Sequence, residues 1–345
     1  MNKIYYKDLL LFTKKILNNI KLDKFSNDSV SYGLCDASLR GVDSHGIKLL
    51  RHYVNVGITK RKNPNPKFRF IKKYPCLQIL DADHAFGLAA GMKAIDKGIE
   101  IAKKYGVGMV PVTNSTHPGA LASIAMRASK KGYAAFAFTH SDSLMLSHNS
   151  SERYFGTNPI CFTCPREGEE PYCLDMATTI ISWNELLSYR NNSKKLESFM
   201  AADVKGNYTK DPKKAHSLRP IGDYKGFGLA SMIDIMCGVY TGMPFGQMIL
   251  PMFTIPNDKK RSLGQFYIVF KVDGYLSKKE FSRKVKLMSN QIRNLKSAKK
   301  KVLVPNDPEI NFSKIRMKSG IPLDKNTYKD LKYLSKKYSV KLKTF

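Results

Sequence analysis

Apolar residues over the first sixty positions recur at helical spacing. Leu9, Phe12, Ile16 and Ile20 share one face, Val30, Leu34 and Ala37 a second, and Ile47, Leu50 and Val54 a third. The pattern predicts three helices, with Ser26 capping the second and the third following Ser44. The stretch from Arg61 to Pro66 carries two prolines and breaks regular structure, and a boundary is placed near residue 72. Beyond it the period changes. Leu77 to Leu80, Val107 to Val112, Tyr133 to Thr139, Ile160 to Thr163, Tyr172 to Leu174 and Gln265 to Val272 read as strands. Between them, Ala94 to Ala102 marks a helix stopping at Gly106, Ala120 to Ser129 another, and Gly226 to Cys237 a buried one.

The tail returns to helix. Ser277 and Glu280 form a capping box before Phe281, Val285, Met288, Ile292 and Leu295, and Asp324 caps a last helix bearing Tyr328, Leu331 and Leu334. The expected fold class is α+β or α/β. Residues 1–72 and 275–345 are expected to form one helical domain, beside a central mixed-sheet domain over 73–274.

Composition narrows the classes. Of 345 residues, 43% are hydrophobic and 25% charged, as in globular chains, and no apolar run is long enough to cross a bilayer. The apolar stretch Leu9 to Phe12 is too short for a signal-peptide core, so a cytoplasmic location is expected. Lys and Arg number 58 against 28 acids, a formal charge of +30. That excess raises nucleic acid or anionic ligands as partners. The cations are spread along the chain without an RNA-binding aromatic signature or zinc-finger spacing, so a solvated basic surface is the preferred reading. Cys161 and Cys164 lie three apart in a strand, on opposite faces, and are read as packing cysteines rather than metal ligands.

Two histidines stand in polar turns. His45 follows Asp43 and Ser44, with Lys48 and Arg51 placed to pair with a carboxylate; the alternative is a helix cap with an exposed imidazole. His117 lies between Asn114 and Gly119 in a strand-to-helix turn, where free backbone N–H groups accept anions. Pro118 and Gly119 set turn geometry there on the alternative reading. His52, His84, His140, His148 and His216 read as surface or packing residues. Lys225 opens a glycine-rich helix, a possible anion contact, and Asp175 follows a strand. The nearest approach to a dinucleotide fingerprint, Gly226 to Ser231, lacks its third glycine, so a Rossmann site is not expected.

In order, Gly41 to Gly46, Gly106 to Met109, Asn114 to Gly119, Gly156 to Pro159, Leu174 to Thr178, Asp223 to Gly228, Val302 to Pro305 and Ser319 to Leu323 resemble the type-2 malate/L-lactate dehydrogenase family. The resemblance implies a non-Rossmann fold, a homodimer, and an interdomain cleft holding NAD or NADP with a 2-hydroxy or 2-oxo acid. It implies substrates such as malate, lactate, ureidoglycolate, sulfolactate or diketogulonate. A cyclic imine carboxylate reductase, and a non-catalytic basic protein on the same scaffold, are the alternatives. Position by position, His45 matches the family's proposed proton donor and His117 a histidine assigned as base in relatives. Ser44, Lys48 and Arg51 fall to substrate binding. Ser141, Asn158, Asp175, Met176, Ala177, Lys225 and Gly226 fall to the cofactor. Asn306 and Asp307 stand where the family has Gly-Glu. Leu49 replaces a frequent arginine, Pro118 a frequent phenylalanine, and Asn149-Ser150 a Gly-Gly pair, changes that point to a divergent substrate.

Overall fold

The computed structural model describes residues 2–197 and 199–345. The chain runs β1 (Lys3–Ile4), α1 (Tyr6–Asn19), α2 (Lys24–Leu39), α3 (Leu50–Ile58), β2 (Arg69–Tyr74), β3 (Leu77–Asp81), α4 (Gly87–Tyr105), β4 (Val107–Ser115), α5 (Ala122–Ser129), β5 (Tyr133–Thr139), β6 (Ile160–Cys164) and β7 (Tyr172–Met176). It continues with α6 (Trp183–Asn191), β8 (Ala201–Ala202), β9 (Ser217–Leu218), α7 (Tyr224–Asp234), β10 (Leu263–Lys271), α8 (Lys278–Arg293), α9 (Asp307–Ser319), β11 (Ile321–Pro322) and α10 (Lys325–Tyr338).

Seven strands form the central sheet in the order β2-β3-β4-β10-β5-β6-β7. Only β3 and β4 pair in parallel; the other neighbours are antiparallel. The late strand β10 inserts between β4 and β5, so Tyr267 faces Val110 on one side and Ala137 on the other. Strand alternation then sorts the two faces. Val110, Val112, Ala135, Ala137, Tyr267 and Val269 join the core shared with α4 and α5. Phe136, Phe138, Phe266 and Ile268 turn to the opposite face, against Ile233 and Cys237. Cys161 lies in the first of these cores and Cys164 in a separate cluster with Phe281 and Val285, on opposite faces as expected; all six thiols are free.

Chain ends meet. Ile4 pairs with Ile321 between β1 and β11, and the Phe345 amide donates to the Lys3 carbonyl at 3.0 Å. Strand β2 runs from Arg69 to Tyr74, across residue 72. Phe281 and Val285 of α8 pack on the sheet residues Ala134 and Val272. One continuous core joins the terminal helices, through Leu9, Leu34 and Leu331, to the sheet. A smaller cluster of Ile181, Leu186, Leu196, Ala201, Ala215 and Leu218 forms a lobe beside it.

Caps follow the chemistry of the turns. The capping box of Ser277 and Glu280 is present, and Asp324 accepts from the Asn326 and Thr327 amides. In α2 the cap is Asp23, accepting from the Phe25 and Ser26 amides, and Ser26 is buried inside the helix. The helix expected to be buried over 226–237 is α7, which passes into a π-helical turn over Ile235–Val239. It is amphipathic rather than buried: Met232, Ile235, Val239 and Tyr240 are exposed along its outer side. Among the described residues, no helix is long and apolar enough to cross a membrane.

Candidate active site

His45 is delivered by a 3-10 turn, Asp43–His45, fixed at three points. Arg316 of α9 grips the Asp43 carboxylate through both terminal nitrogens, at 2.6 and 2.9 Å. Asn184 of α6 donates to the Ser44 carbonyl at 3.0 Å. Gly46 lies so close to Ser38 that a Cβ there would stand 2.1 Å from its Oγ. His117 sits just past the end of β4. Thr116 beside it accepts from the Gly87 amide, and Gln265 of β10 donates to the Thr116 carbonyl at 3.1 Å.

These anchors bring the two imidazoles together. Their ring centroids are 5.4 Å apart and the planes nearly parallel, at 20°. Each Nδ1 is engaged: that of His45 with the Ser44 hydroxyl at 2.8 Å, that of His117 with the Tyr53 hydroxyl at 3.1 Å. Both Nε2 atoms remain for a ligand. Burial, then the neighbouring Lys48, pushes His45 down to about 4. Burial, then His45, lowers His117 well below the usual imidazole range. Near neutrality both rings are therefore uncharged in the free protein.

Two cavities meet at His45. The larger, about 910 Å³, is walled by His45, His117, Ser141, Arg153, Trp183 and Arg261, among others. The smaller, about 650 Å³, is walled by Ser44, His45, Asp175, Met176, Ala177 and Asn306, with Thr157 and Ser182 also common to both. Asp175 faces this second space and accepts from the Ala122 amide at 2.8 Å. It thereby occupies the start of α5, where a free anion-accepting N–H was expected. Its side chain is exposed to that space, and the surrounding walls raise its carboxyl above the ordinary range. Asn306 adopts φ +78°, in the left-handed region that favours glycine, and its side chain bonds Arg40 and the Pro171 carbonyl.

Other expected site residues lie outside both walls. Arg51 pairs with Asp330 at 2.5 Å and stacks over Tyr333, so α10 holds it away from the cleft. Lys48 influences His45 electrically but lines neither cavity. Asn158 is a buried strut, donating to the Ala230 carbonyl and Asp234. Lys225 is exposed, and Gly226 is buried against the backbone of Ile221. Asp307 is taken by Arg293, at 2.6 Å, and Glu309 lines the cavity instead. His216 and His52, read as surface or packing residues, reach cavity walls. Sequence reasoning missed Tyr53, Arg153, Trp183 and Arg261. Arg261 pairs with Asp142 at 2.5 Å on the cleft wall. No local spacing linked these residues to the histidines.

The chain is 28% identical to malate dehydrogenase of Pyrococcus abyssi, over 97% of this chain and 94% of that one. It is 33% identical to ureidoglycolate dehydrogenase (NAD(+)) of Escherichia coli K12, over 73% and 72%. The solved malate dehydrogenase of Entamoeba histolytica superposes with a TM-score of 0.93 at 27% identity, covering 99% of both chains. Residues 4–332 match malate/L-lactate dehydrogenase as a family, and the chain belongs to it.

Proposed function

We propose that this protein transfers a hydride between NAD or NADP and a 2-hydroxy/2-oxo acid, with the cofactor in the smaller cavity and the acid in the larger. The observation that carries this reading is the stacked pair of imidazoles where the two spaces join. The smaller cavity suits a dinucleotide. Gly119, Ala120, Ala122 and Ala177 keep its walls low, and it opens at His45 onto the acid's space. The nicotinamide supplies the hydride chemistry when bound.

The protein's own residues handle the proton. His45, common to both cavities, is placed to accept a hydroxyl proton at Nε2 during oxidation and return it to the alkoxide oxygen during reduction. Ser44 orients that ring through Nδ1, and Tyr53 orients His117 in the same way. His117 stacks against His45 and closes the cleft on the other side. Trp183 and Leu187, from the small lobe, wall the acid's space and limit its access to water.

The test is a titration with NADH and NADPH followed by a panel of 2-oxo acids and a cyclic imine carboxylate, read by loss of reduced-cofactor absorbance. Cofactor binding with turnover of a 2-oxo acid is expected. Tight nucleic-acid binding at physiological salt without cofactor binding would overturn the reading in favour of a non-catalytic basic protein.

We further propose that the protein is a homodimer joined through the outer side of α7 and its π-helical turn. Met232, Ile235, Val239 and Tyr240 form an exposed apolar stripe there. Sedimentation equilibrium should give twice the 39.0 kDa chain mass, and Ile235→Lys should shift the protein towards the single-chain mass. A wild-type monomer at micromolar concentration would contradict the dimer.

A further inference from the structure

Behind His117 lies a recess that the function above leaves unused. Its walls are His52, Arg61, Lys62, Thr116, His117, Met252 and Arg261. Three cations meet there. Arg261 is the one with an acidic partner, Asp142. Arg61 gives one terminal nitrogen to the Met252 carbonyl at 3.1 Å, and its other terminal nitrogen is buried without an acceptor. Lys62 is 3% exposed, and its ammonium nitrogen has no hydrogen-bond partner. That nitrogen lies 3.7 Å from the centre of the Tyr53 ring, the same tyrosine whose hydroxyl bonds His117. Cation–π attraction offsets part of the cost of burying the charge but supplies no acceptor.

Burial, followed by Arg61 and Arg261, lowers Lys62 well below the ordinary lysine range. The cluster is short of negative charge. The recess measures about 10 Å³, room for one oxygen atom rather than a whole anion. It shares His117, Met252 and Arg261 with the large cleft, so the two spaces lie against each other at those residues. On the other side of the site, Leu49 is an apolar buried residue and brings no cation, and Arg51 is committed to Asp330.

We propose that Lys62, supported by Arg61 and Arg261, holds the substrate carboxylate beside His117. This rests on the 2-hydroxy/2-oxo acid reading. Held there, the acid presents C2 towards His45, where the two cavities join. The carboxylate restores to Lys62 the counter-charge that the free protein lacks. The carboxylate site is thus built from the turn after α3, on the far side of His117 from the segment that carries His45.

The test compares wild type with Lys62→Met and Lys62→Arg, using the best 2-oxo acid of the panel and oxamate as a non-reacting carboxylate probe. Lys62→Met should raise KM for the 2-oxo acid, and Kd for oxamate, about tenfold to a hundredfold, while KM for the reduced cofactor stays within twofold. Lys62→Arg should recover most of that loss. Lys62→Met should also melt no lower than wild type, since it removes a buried nitrogen that has no hydrogen-bond partner; a purely structural lysine would lower the melting temperature and leave KM alone. If Lys62→Met does not fold, Arg61→Met carries the same KM expectation. An unchanged KM and oxamate Kd in a folded variant, with wild type active, overturns this inference alone. A wild type inactive on every 2-oxo acid overturns the reading beneath it.

Discussion

Replacing His45 with alanine is expected to lower kcat about a hundredfold to ten-thousandfold, the usual contribution of a positioned proton donor or acceptor. The fold should survive, because the turn that carries His45 is held by Asp43, the Ser44 carbonyl and Gly46 rather than by the imidazole. Steady-state kinetics with a matched melting curve separates the two effects. Near-wild-type turnover would move the proton to His117, whose Nε2 is also free. The pH profile carries the same expectation. With His45 held at about 4, its basic form is present above that value, so it does not limit oxidation until the pH falls towards 4. For reduction the sign reverses: the free protein must supply the charged ring, so kcat/KM on His45's account falls as pH rises above about 4. An acid limb for oxidation near 6.5 that disappears in His45→Ala would contradict the burial argument.

The second large effect is structural. A Cβ at Gly87 would stand 2.2 Å from the Thr116 carbonyl oxygen and 2.4 Å from that of His117. Both obstacles are backbone: Gln265 donates to the Thr116 carbonyl and the Tyr53 hydroxyl to that of His117. Gly87→Ala must therefore push the His117 segment away from the start of α4. The expected cost is about 1–3 kcal/mol of stability from overpacking. A shift of about 1 Å in His117 also costs about a hundredfold in turnover where geometry is catalytic. Urea denaturation and kcat measured on the same preparation check both. Wild-type values for the two together would show that the segment yields freely.

Much of this architecture was legible because strands and amphipathic helices write their periods into the chain. The segment Tyr133 to Thr139 reads as a strand and is β5, and the stop at Gly106 follows from its φ of +84°. Elements without a buried stripe were not legible. Helix α6 buries only Leu186, and α9 only Arg316, so neither shows an apolar period. Strand β2 is an edge strand whose Arg69, Lys72 and Lys73 are exposed, and it reads as an extension of the proline-rich loop. The basic composition pointed away from the chemistry, since lysines such as Lys279, Lys284, Lys329 and Lys336 lie on the outer faces of α8 and α10.

The site was legible where its residues belong to short turns, as with His45, His117 and Asp175. It was illegible where topology rather than spacing assembles it. Arg261 reaches the cleft from the segment leading into β10, a strand inserted late into the sheet centre, while Arg51 is drawn off by Asp330 of α10. The cations next to His45 in sequence, Lys48 and Arg51, thus line neither cavity, while Arg261, distant in sequence, does.

The most direct measurement is a crystal structure of the protein with reduced nicotinamide cofactor and oxamate. The account predicts the oxamate carbonyl oxygen about 3 Å from the Nε2 of His45, with the nicotinamide ring on the side of the smaller cavity. Oxamate bound with both imidazoles beyond hydrogen-bond reach of its carbonyl would contradict the assignment of proton transfer to this pair.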